Sequence, residues 1–193
     1  MSGKDTNKLE QRIAALEEEI IAKKEELAKL RKSAPRQQVT DYVFATSNGE
    51  TRLSDLFGQS DELIIIHNMG KGCAYCTLWA DGFNGVRHHL ENRAGLALVS
   101  PDNPTTQRSF AESRGWKLRM LSGKGNTFAK DMGFVSEKGG YMPGVSTFIR
   151  DRAGTIYRVA HAYFGPGDDY CGLWHLFDLL ADGAKEWAPK FKY

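Results

Sequence analysis

Two short runs of nearly unbroken aliphatic residues constrain the fold of this chain more than any other feature. Residues 62–67 read Glu-Leu-Ile-Ile-Ile-His, and residues 95–100 read Gly-Leu-Ala-Leu-Val-Ser. Runs without a polar residue at every second position are typical of strands that are buried on both faces of a sheet. We therefore predict two central strands in a sheet that is flanked by helices.

Helical and strand-like segments alternate around these two runs. We predict strands at 42–45, 117–121, 145–150 and 155–162, a helical turn at 53–57, and helices at 73–92, 104–115, 126–132 and 168–181. Asn103 and Pro104 suit the N-cap and first position of their helix, and Gly154 ends a turn-rich link between the last two strands. Strands that alternate with helices before a closing hairpin predict an α/β fold with a mixed sheet.

A leading segment without glycine or proline runs from Leu9 to Lys32. Its apolar residues recur at steps of four and three, as in an amphipathic helix, interrupted only by Lys23, at Leu9, Ile13, Leu16, Ile20, Leu27 and Leu30. These six residues are called the apolar stripe below. We predict a helix at about residues 7–32, within an arm of residues 1–34 that precedes a domain of residues 35–193.

The charges beside the apolar stripe suit a second copy of the same helix. If the stripe occupies heptad positions a and d, the g-to-e′ pairs of a parallel dimer are Arg12 with Glu17, Glu19 with Lys24, and Glu26 with Arg31. Each pair is opposite in sign. The pattern predicts a parallel coiled-coil homodimer, and the alternative is a helix that packs on its own domain with a solvated charged face.

Composition and charge exclude several classes of protein. The 26 basic and 24 acidic residues give a net charge of +2, and the basic residues are scattered, so no nucleic-acid partner is expected. The longest aliphatic run, Leu63 to Ile66, is too short to span a bilayer, and Met1 to Lys8 offer no apolar signal region. Three cysteines are an odd count that favours a reducing compartment, so we expect a cytoplasmic protein.

The segment Gly72-Cys73-Ala74-Tyr75-Cys76 lies between a predicted buried strand and a predicted helix. Free backbone amides and the helix dipole lower the pKa of a thiol at a helix N-terminus, which makes it a nucleophile. In helical phase Cys76 shares the apolar arc of Trp79, whereas Cys73 lies at the edge of that arc. We expect Cys73 to attack and the sheltered Cys76 to resolve, with Tyr75 shielding the sulfurs or touching a partner.

The order of strand, C-x-x-C, helix, and later a proline before a strand hairpin resembles a thioredoxin fold. The strings Asp41 to Phe44, Leu53 to Phe57, Cys73 to Gly85 and Pro143 to Ser146 more narrowly resemble a bacterial thioredoxin-like domain-of-unknown-function family of predicted dithiol-disulfide oxidoreductases. The resemblance covers nearly the whole chain. It implies a thioredoxin-like fold and a dithiol-disulfide oxidoreductase reaction, but not the substrate. From the cysteine pair we expect a disulfide-containing protein or a small thiol or disulfide as substrate, recycling by a cytosolic thiol reductant, and no cofactor.

Two positions depart from the thioredoxin pattern. The proline that precedes the hairpin strand in thioredoxins is replaced by Val145, and Pro143 comes two residues early. Either the loop is reshaped or the contact with the substrate backbone is made differently, and Pro143, Gly144 and Val145 are the candidate contacts. The buried acid six residues before the first cysteine is replaced by His67. A histidine there is a candidate proton acceptor for Cys76, and the alternative is a strand-end histidine bonded to the backbone.

Three other interpretations of the cysteines compete with redox exchange. Cys73, Cys76, Cys171 and His175 together offer three thiols and one imidazole for tetrahedral zinc, although no metal is expected in the favoured interpretation. A non-catalytic, dimeric thioredoxin-like interaction module is the second. Peroxide reduction is disfavoured, because residues 67–72 lack the proline and threonine of peroxiredoxins. Cys171 itself is expected on a polar helix face as a partly exposed thiol.

Overall fold

A computed structural model describes residues 3–193 and divides the chain into two compact units, one that ends at Arg36 and one from Gln37 to Tyr193. The helices are α1 (Gly3–Ser33), α2 (Ala74–Gly85), α3 (Arg87–Arg93), α4 (Pro104–Arg114), α5 (Phe128–Asp131) and α6 (Leu173–Asp178), with a 3-10 turn at Leu53–Phe57. The strands are β1 (Gln37–Gln38), β2 (Val43–Thr46), β3 (Gly49–Arg52), β4 (Glu62–His67), β5 (Gly95–Ser100), β6 (Met120–Ser122), β7 (Gly144–Arg150) and β8 (Ile156–Tyr163).

The first unit consists mainly of α1, which extends a little beyond the predicted helix at both ends. Its apolar stripe is exposed to solvent, since each of the six side chains has between 40% and 60% of its surface accessible. Ser33 closes the last turn by donating its hydroxyl to the carbonyl of Leu30. None of the helices between residues 3 and 193 combines the length with the hydrophobicity that a membrane span requires.

The second unit is built on one mixed sheet of eight strands in the order β1-β8-β7-β4-β5-β6-β2-β3. The neighbouring strands β4, β5 and β6 are parallel, whereas β7 pairs antiparallel with both β4 and β8. The two aliphatic runs form β4 and β5 with the predicted boundaries. The mixed sheet, its flanking helices and the long leading helix confirm the predicted architecture.

Each face of the sheet carries its own hydrophobic cluster. The first cluster joins the 3-10 turn and α5 to one face, and includes Phe44, Leu53, Phe57, Ile65, Phe128, Phe134 and Phe148. The second cluster joins α2, α4 and α6 to the other face, and includes Ile66, Trp79, Ala80, Leu98, Ala111, Phe164 and Trp174. Side chains of β4 alternate between the clusters, as expected for a strand buried on both faces.

Two predicted helices differ from those in the structure. The helix expected from Cys73 to Asn92 is interrupted at Val86, whose backbone leaves the helical region before α3 begins. The helix expected from Asp168 to Ala181 is reduced to α6, because Asp168 accepts hydrogen bonds from the amides of Gly165 and Tyr170 and so stabilises a turn instead. The two edge strands of the sheet, β1 beside β8 and β3 beside β2, are not among the strands that the sequence predicts.

Candidate functional site

Cys73 is the N-cap residue of α2, directly after a loop of residues 68–72 that is called the β4–α2 loop below. Its backbone is extended, so its side chain turns back over the first turn of the helix. The Cys73 sulfur accepts a hydrogen bond from the backbone N–H of Cys76 at 3.0 Å. The thiol thus takes the capping position that a serine or aspartate oxygen takes in other helices.

The surroundings of Cys73 favour its thiolate. The Cys76 thiol donates to the Cys73 sulfur, the amides of Cys76 and Tyr75 add to this, and together they lower the pKa of Cys73 to about 7 against the opposing effect of burial. Cys73 is only partly buried, so an electrophile can reach it. A thiolate that forms near neutral pH and faces solvent is a nucleophile.

Cys76 has the opposite environment. Its side chain is 2% exposed, and the hydrogen bond to Cys73 together with burial raises its pKa well above the usual range. The backbone N–H of Met69 donates to the Cys76 sulfur at 3.4 Å. Cys76 is thus the more sheltered of the two thiols, as the sequence predicts, whereas Cys73 is half-buried rather than fully exposed.

Two polar side chains hold the β4–α2 loop. The Asn68 side chain accepts from the amide of Gly70 at 2.7 Å and donates to the carbonyl of Cys76 at 3.4 Å. Asp102, which follows β5, accepts from the amide of Lys71 at 2.7 Å. The loop is fixed from two sides, immediately before the cysteine pair.

His67 is not placed to take a proton from Cys76, which corrects the sequence-based expectation. Its ring lies 3.7 Å from that of Phe134 and bonds through Nε2 to the Ser146 hydroxyl at 3.0 Å. Ile66, its neighbour in β4, belongs to the cluster of α2, so the side chain of His67 projects from the opposite face of the sheet. Burial, followed by the charges of Arg158 and His161, lowers the pKa of His67 well below its usual value, so the ring is neutral.

The other predicted contact residues are spread over different environments. Tyr75 packs in the cluster of α2, with its ring 6.2 Å from that of Trp79 and 6.3 Å from that of Trp174. Val145 packs against the same cluster and pairs with Ile66, whereas Gly144 is buried and lies against Phe134 on the other face. The carbonyl of Pro143 accepts from the amide of Phe164, and no cis peptide bond occurs in residues 3–193.

Cys171 is buried, at 9% exposure, which corrects the expectation of a partly exposed thiol on a polar face. The reason is that α6 begins only at Leu173, so Cys171 lies before the helix and packs in the cluster of α2. His175, which the alternative zinc interpretation groups with Cys171, faces Asp169 at 3.5 Å. In the described part of the chain no three His, Cys, Asp or Glu side chains gather as a metal site, so the zinc interpretation has no support.

Sequence reasoning missed Asn68, Met69 and Asp102. The string Asn68-Met69-Gly70 carries a local signal, because asparagine followed two residues later by glycine favours a turn closed by the asparagine side chain. Asp102 carries no such signal. It lies 31 residues from Lys71 in the chain, and only the pairing of β4 with β5 brings the two together.

Comparison with known proteins gives a family and several relatives. A family profile described as "Bacterial protein of unknown function (DUF899)" matches residues 3–193. The chain is similar to "Peroxiredoxin Q, chloroplastic" of Populus jackii, with 28% identity over 93 residues that span 47% of this chain and 43% of that protein. For the protein of the same name from Suaeda salsa the identity is 31% over 93 residues, with 47% and 43% covered. The matches thus span less than half of these relatives.

Solved structures give the fold. The peroxidoxin BcpB of Mycobacterium tuberculosis is similar with a TM-score of 0.51 and 22% identity, over 66% of this chain and 84% of that chain. A reduced Prx3 of Vibrio vulnificus, in complex with hydrogen peroxide, has a TM-score of 0.51 and 16% identity over 70% and 87% of the two chains. The second unit has the thioredoxin-like fold that the sequence predicted.

Proposed function

Because the chain belongs to the family described as bacterial protein of unknown function (DUF899), whose description names no reaction, we propose a function from the site itself. The protein is a thiol-dependent oxidoreductase in which Cys73 attacks an electrophile and Cys76 resolves the product. The observation that carries this proposal is the opposed environment of the two thiols, with Cys73 half-buried at a helix N-terminus and Cys76 enclosed behind it.

A disulfide is the electrophile that the paired cysteines suit best. The Cys73 thiolate attacks one sulfur of the partner, the partner S–S bond breaks, and the leaving thiolate takes a proton from water. Cys76 then loses its proton and attacks the Cys73 sulfur, which releases the second partner thiol and leaves a Cys73–Cys76 disulfide. Two electrons pass from the cysteine pair to the partner, and a thiol reductant restores the pair.

A hydroperoxide is the second candidate electrophile, because the relatives are named peroxiredoxins. The Cys73 thiolate would then attack the terminal peroxide oxygen, the O–O bond would break, and the alcohol or water would leave with a proton. The resulting sulfenic acid at Cys73 is attacked by Cys76, which releases water and forms the same disulfide. The two candidates differ in the electrophile, the intermediate on Cys73 and the leaving groups, and both end in the Cys73–Cys76 disulfide.

Parallel assays with one thiol reductant distinguish these electrophiles. Reduction of insulin disulfides tests the first, and consumption of hydrogen peroxide or cumene hydroperoxide tests the second. We expect Cys73→Ser to abolish turnover of either substrate, and Cys76→Ser to trap a mixed disulfide with insulin. The buried Cys171→Ser is the matched control and retains activity. If neither substrate is turned over, both proposed electrophiles are wrong, and the non-catalytic interaction module becomes the favoured alternative.

The surroundings of the pair supply candidates for substrate contact. Tyr75, which follows Cys73 by two residues, and the segment Pro143 to Val145 remain our proposed contacts, although the burial of Gly144 leaves Pro143 and Val145 as the more accessible pair. Since the cycle ends in a disulfide that a thiol reductant must reduce, we place the reaction in the cytoplasm, where such reductants are maintained.

We also propose that the protein works as a parallel homodimer joined by α1. The open apolar stripe supports this, because six apolar side chains at heptad spacing gain from burial in a partner helix. The three oppositely charged g-to-e′ pairs select a second copy of the same helix as that partner.

A further inference from the structure

We propose that the Met69 amide, positioned by the side chains of Asn68 and Asp102, stabilises the Cys76 thiolate at the moment when Cys76 resolves the mixed disulfide. The inference rests on the proposed function and adds a group to its second step. Met69 contributes a catalytic N–H, because that N–H points at a reacting sulfur. Asn68 and Asp102 are positioning residues, because they act through the β4–α2 loop.

The need for such a group follows from the burial of Cys76. To attack the Cys73 sulfur, Cys76 must become a thiolate where water reaches only 2% of its side-chain surface. A buried charge without a partner is costly, and a fixed N–H dipole reduces that cost without having to reorganise. The Met69 N–H, 3.4 Å from the Cys76 sulfur, is in place before the charge develops.

Asn68 determines where that N–H points. By accepting from the amide of Gly70 at 2.7 Å, the Asn68 side chain closes a tight turn with Met69 at its centre. Its amide group also donates to the carbonyl of Cys76 at 3.4 Å, which ties the turn to the first turn of α2. Asn68 is 8% exposed, and its backbone N–H donates to the carbonyl of Val99, so the turn begins from the rigid end of the sheet.

Asp102 supports the same turn from the other side. Its carboxylate accepts from the amide of Lys71 at 2.7 Å and lies so close to Gly70 that a Cβ added there would come 3.0 Å from its Oδ2. Gly70 has a φ of +104°, which side chains rarely adopt, so the turn depends on glycine as well. The loop returns to the cysteines through a hydrogen bond from the Cys73 amide to the carbonyl of Gly70.

Single-turnover reaction with dithiobis(nitrobenzoate) separates the two steps. Attack by Cys73 breaks the S–S bond of the reagent and releases one thionitrobenzoate. Attack by Cys76 on the mixed disulfide then releases the second thionitrobenzoate, and the Cys76 proton passes to solvent. Every variant also carries Cys171→Ser, so that the third thiol does not contribute. In Asn68→Ala we expect the first release to stay within about twofold and the second to slow by about tenfold or more.

Two further variants make the result specific. Asn68→Ser retains an oxygen that can accept from the Gly70 amide, so the second release should recover in part. Asn126→Ala is the matched control, because Asn126 makes the same pair of bonds elsewhere: it accepts from the amide of Phe128 and donates to the carbonyl of Val43. This control should leave both releases unchanged.

The possible outcomes separate the inference from the proposed function. If the second release is unchanged in Asn68→Ala, the Met69 amide does not have the proposed role. The same holds if the control Asn126→Ala slows the second release as much as Asn68→Ala does. In both cases the cysteine chemistry remains intact. Equal slowing of both releases in Asn68→Ala overturns the role of the Met69 amide too, since the loop would then serve Cys73. A parent protein without a first release from Cys73 overturns the proposed function, and the inference with it.

Discussion

Cys73 and Cys76 have the same side chain and lie within one helical turn, yet their surroundings give them different chemistry. Cys73 receives hydrogen bonds from the first turn of α2 and remains open to solvent, whereas Cys76 is enclosed and donates its own proton toward Cys73. One hydrogen bond between the two thiols therefore lowers the pKa of one and raises that of the other. This asymmetry is the basis for our proposal that Cys73 is the attacking thiol.

Alkylation measures the asymmetry directly. An ordinary thiol, with a pKa of about 8.5, is only a few per cent thiolate at neutral pH, whereas a pKa of about 7 makes Cys73 about half thiolate. We expect iodoacetamide to label Cys73 first, at a rate that falls as pH is lowered through about 7. Mass spectrometry of quenched samples locates the label. Faster labelling of Cys76 or Cys171 would contradict the assignment of the nucleophile.

His67 makes the stability of the protein depend on pH. Since burial holds its folded-state pKa well below the unfolded value, the unfolded chain binds a proton that the folded chain does not. The contribution of His67 to stability is thus constant above about pH 6.5 and declines as pH falls below that value, by at most about 1.4 kcal/mol per pH unit.

Urea unfolding at a series of pH values tests this effect. His67→Gln should lower stability at neutral pH, because the ring stacked on Phe134 is lost, but it should flatten the decline below about pH 6.5. The exposed His89→Gln is the matched control and should keep the slope of the unmodified protein. If His67→Gln loses stability below about pH 6.5 as steeply as the unmodified protein, other groups cause the decline.

At the scale of elements, β5 packs against the 3-10 turn through a glycine. A Cβ added at Gly95, the first residue of β5, would come closer to the carbonyl oxygen of Leu56 than real side chains approach backbone, and would also crowd Phe57. Both neighbours belong to the cluster that contains Phe44 and Ile65, so neither can move freely.

Gly95→Ala should therefore reduce the free energy of unfolding by about 2 kcal/mol or more, as overpacking does in other cores. Gly82→Ala is the matched control, because no atom outside α2 lies within 4 Å of its added Cβ and alanine favours the helix. Thermal or urea unfolding of the two variants gives the comparison. If the Gly95→Ala protein is as stable as the Gly82→Ala protein, the 3-10 turn shifts to accommodate the added methyl group and the prediction is wrong.

For α1, exchange of charges tests the proposed dimer. Glu19→Lys places like charges opposite Lys24 of the second copy and should weaken the dimer, and Lys24→Glu in the same chain should restore it. Glu18→Lys is the matched control, since Glu18 lies away from the heptad contacts. Sedimentation equilibrium gives the dissociation constants. If all variants remain monomeric, the stripe does not join two copies.

On the scale of the whole molecule, the two units differ in whether their apolar side chains are buried. Both hydrophobic clusters are formed by residues after Gln37, whereas α1 leaves its apolar side chains open. The second unit also contains the complete cysteine site. Its stability and chemistry should thus be independent of the arm, and the arm should determine association.

Deletion of residues 1–34 should therefore separate these two properties. We expect the remaining chain to unfold cooperatively with a nearly unchanged midpoint and to keep its reaction with dithiobis(nitrobenzoate), because the clusters and the thiols are intact. Its sedimentation coefficient should be that of a monomer. A remainder that does not fold would show that the arm contributes to the core.

The sequence alone determined the strands at the centre of the sheet, the long leading helix and which of the two paired cysteines is the more buried. These features depend on neighbours in the chain: uninterrupted apolar residues bury β4 and β5, heptad spacing defines α1, and helical phase separates Cys73 from Cys76. Even Asn68 and Gly70 carried a local turn signal. Such features could be predicted because short-range geometry fixes them.

Only the tertiary structure decided which groups surround the pair. His67 is six residues from Cys73, yet the alternation of β4 directs its ring to the other face of the sheet, toward Phe134. Asp102 is distant in the chain, yet the pairing of β4 with β5 brings its carboxylate to the β4–α2 loop. Cys171 is buried because a turn replaces the start of the predicted helix. Each outcome depends on contacts between separate elements, which spacing along the chain does not specify.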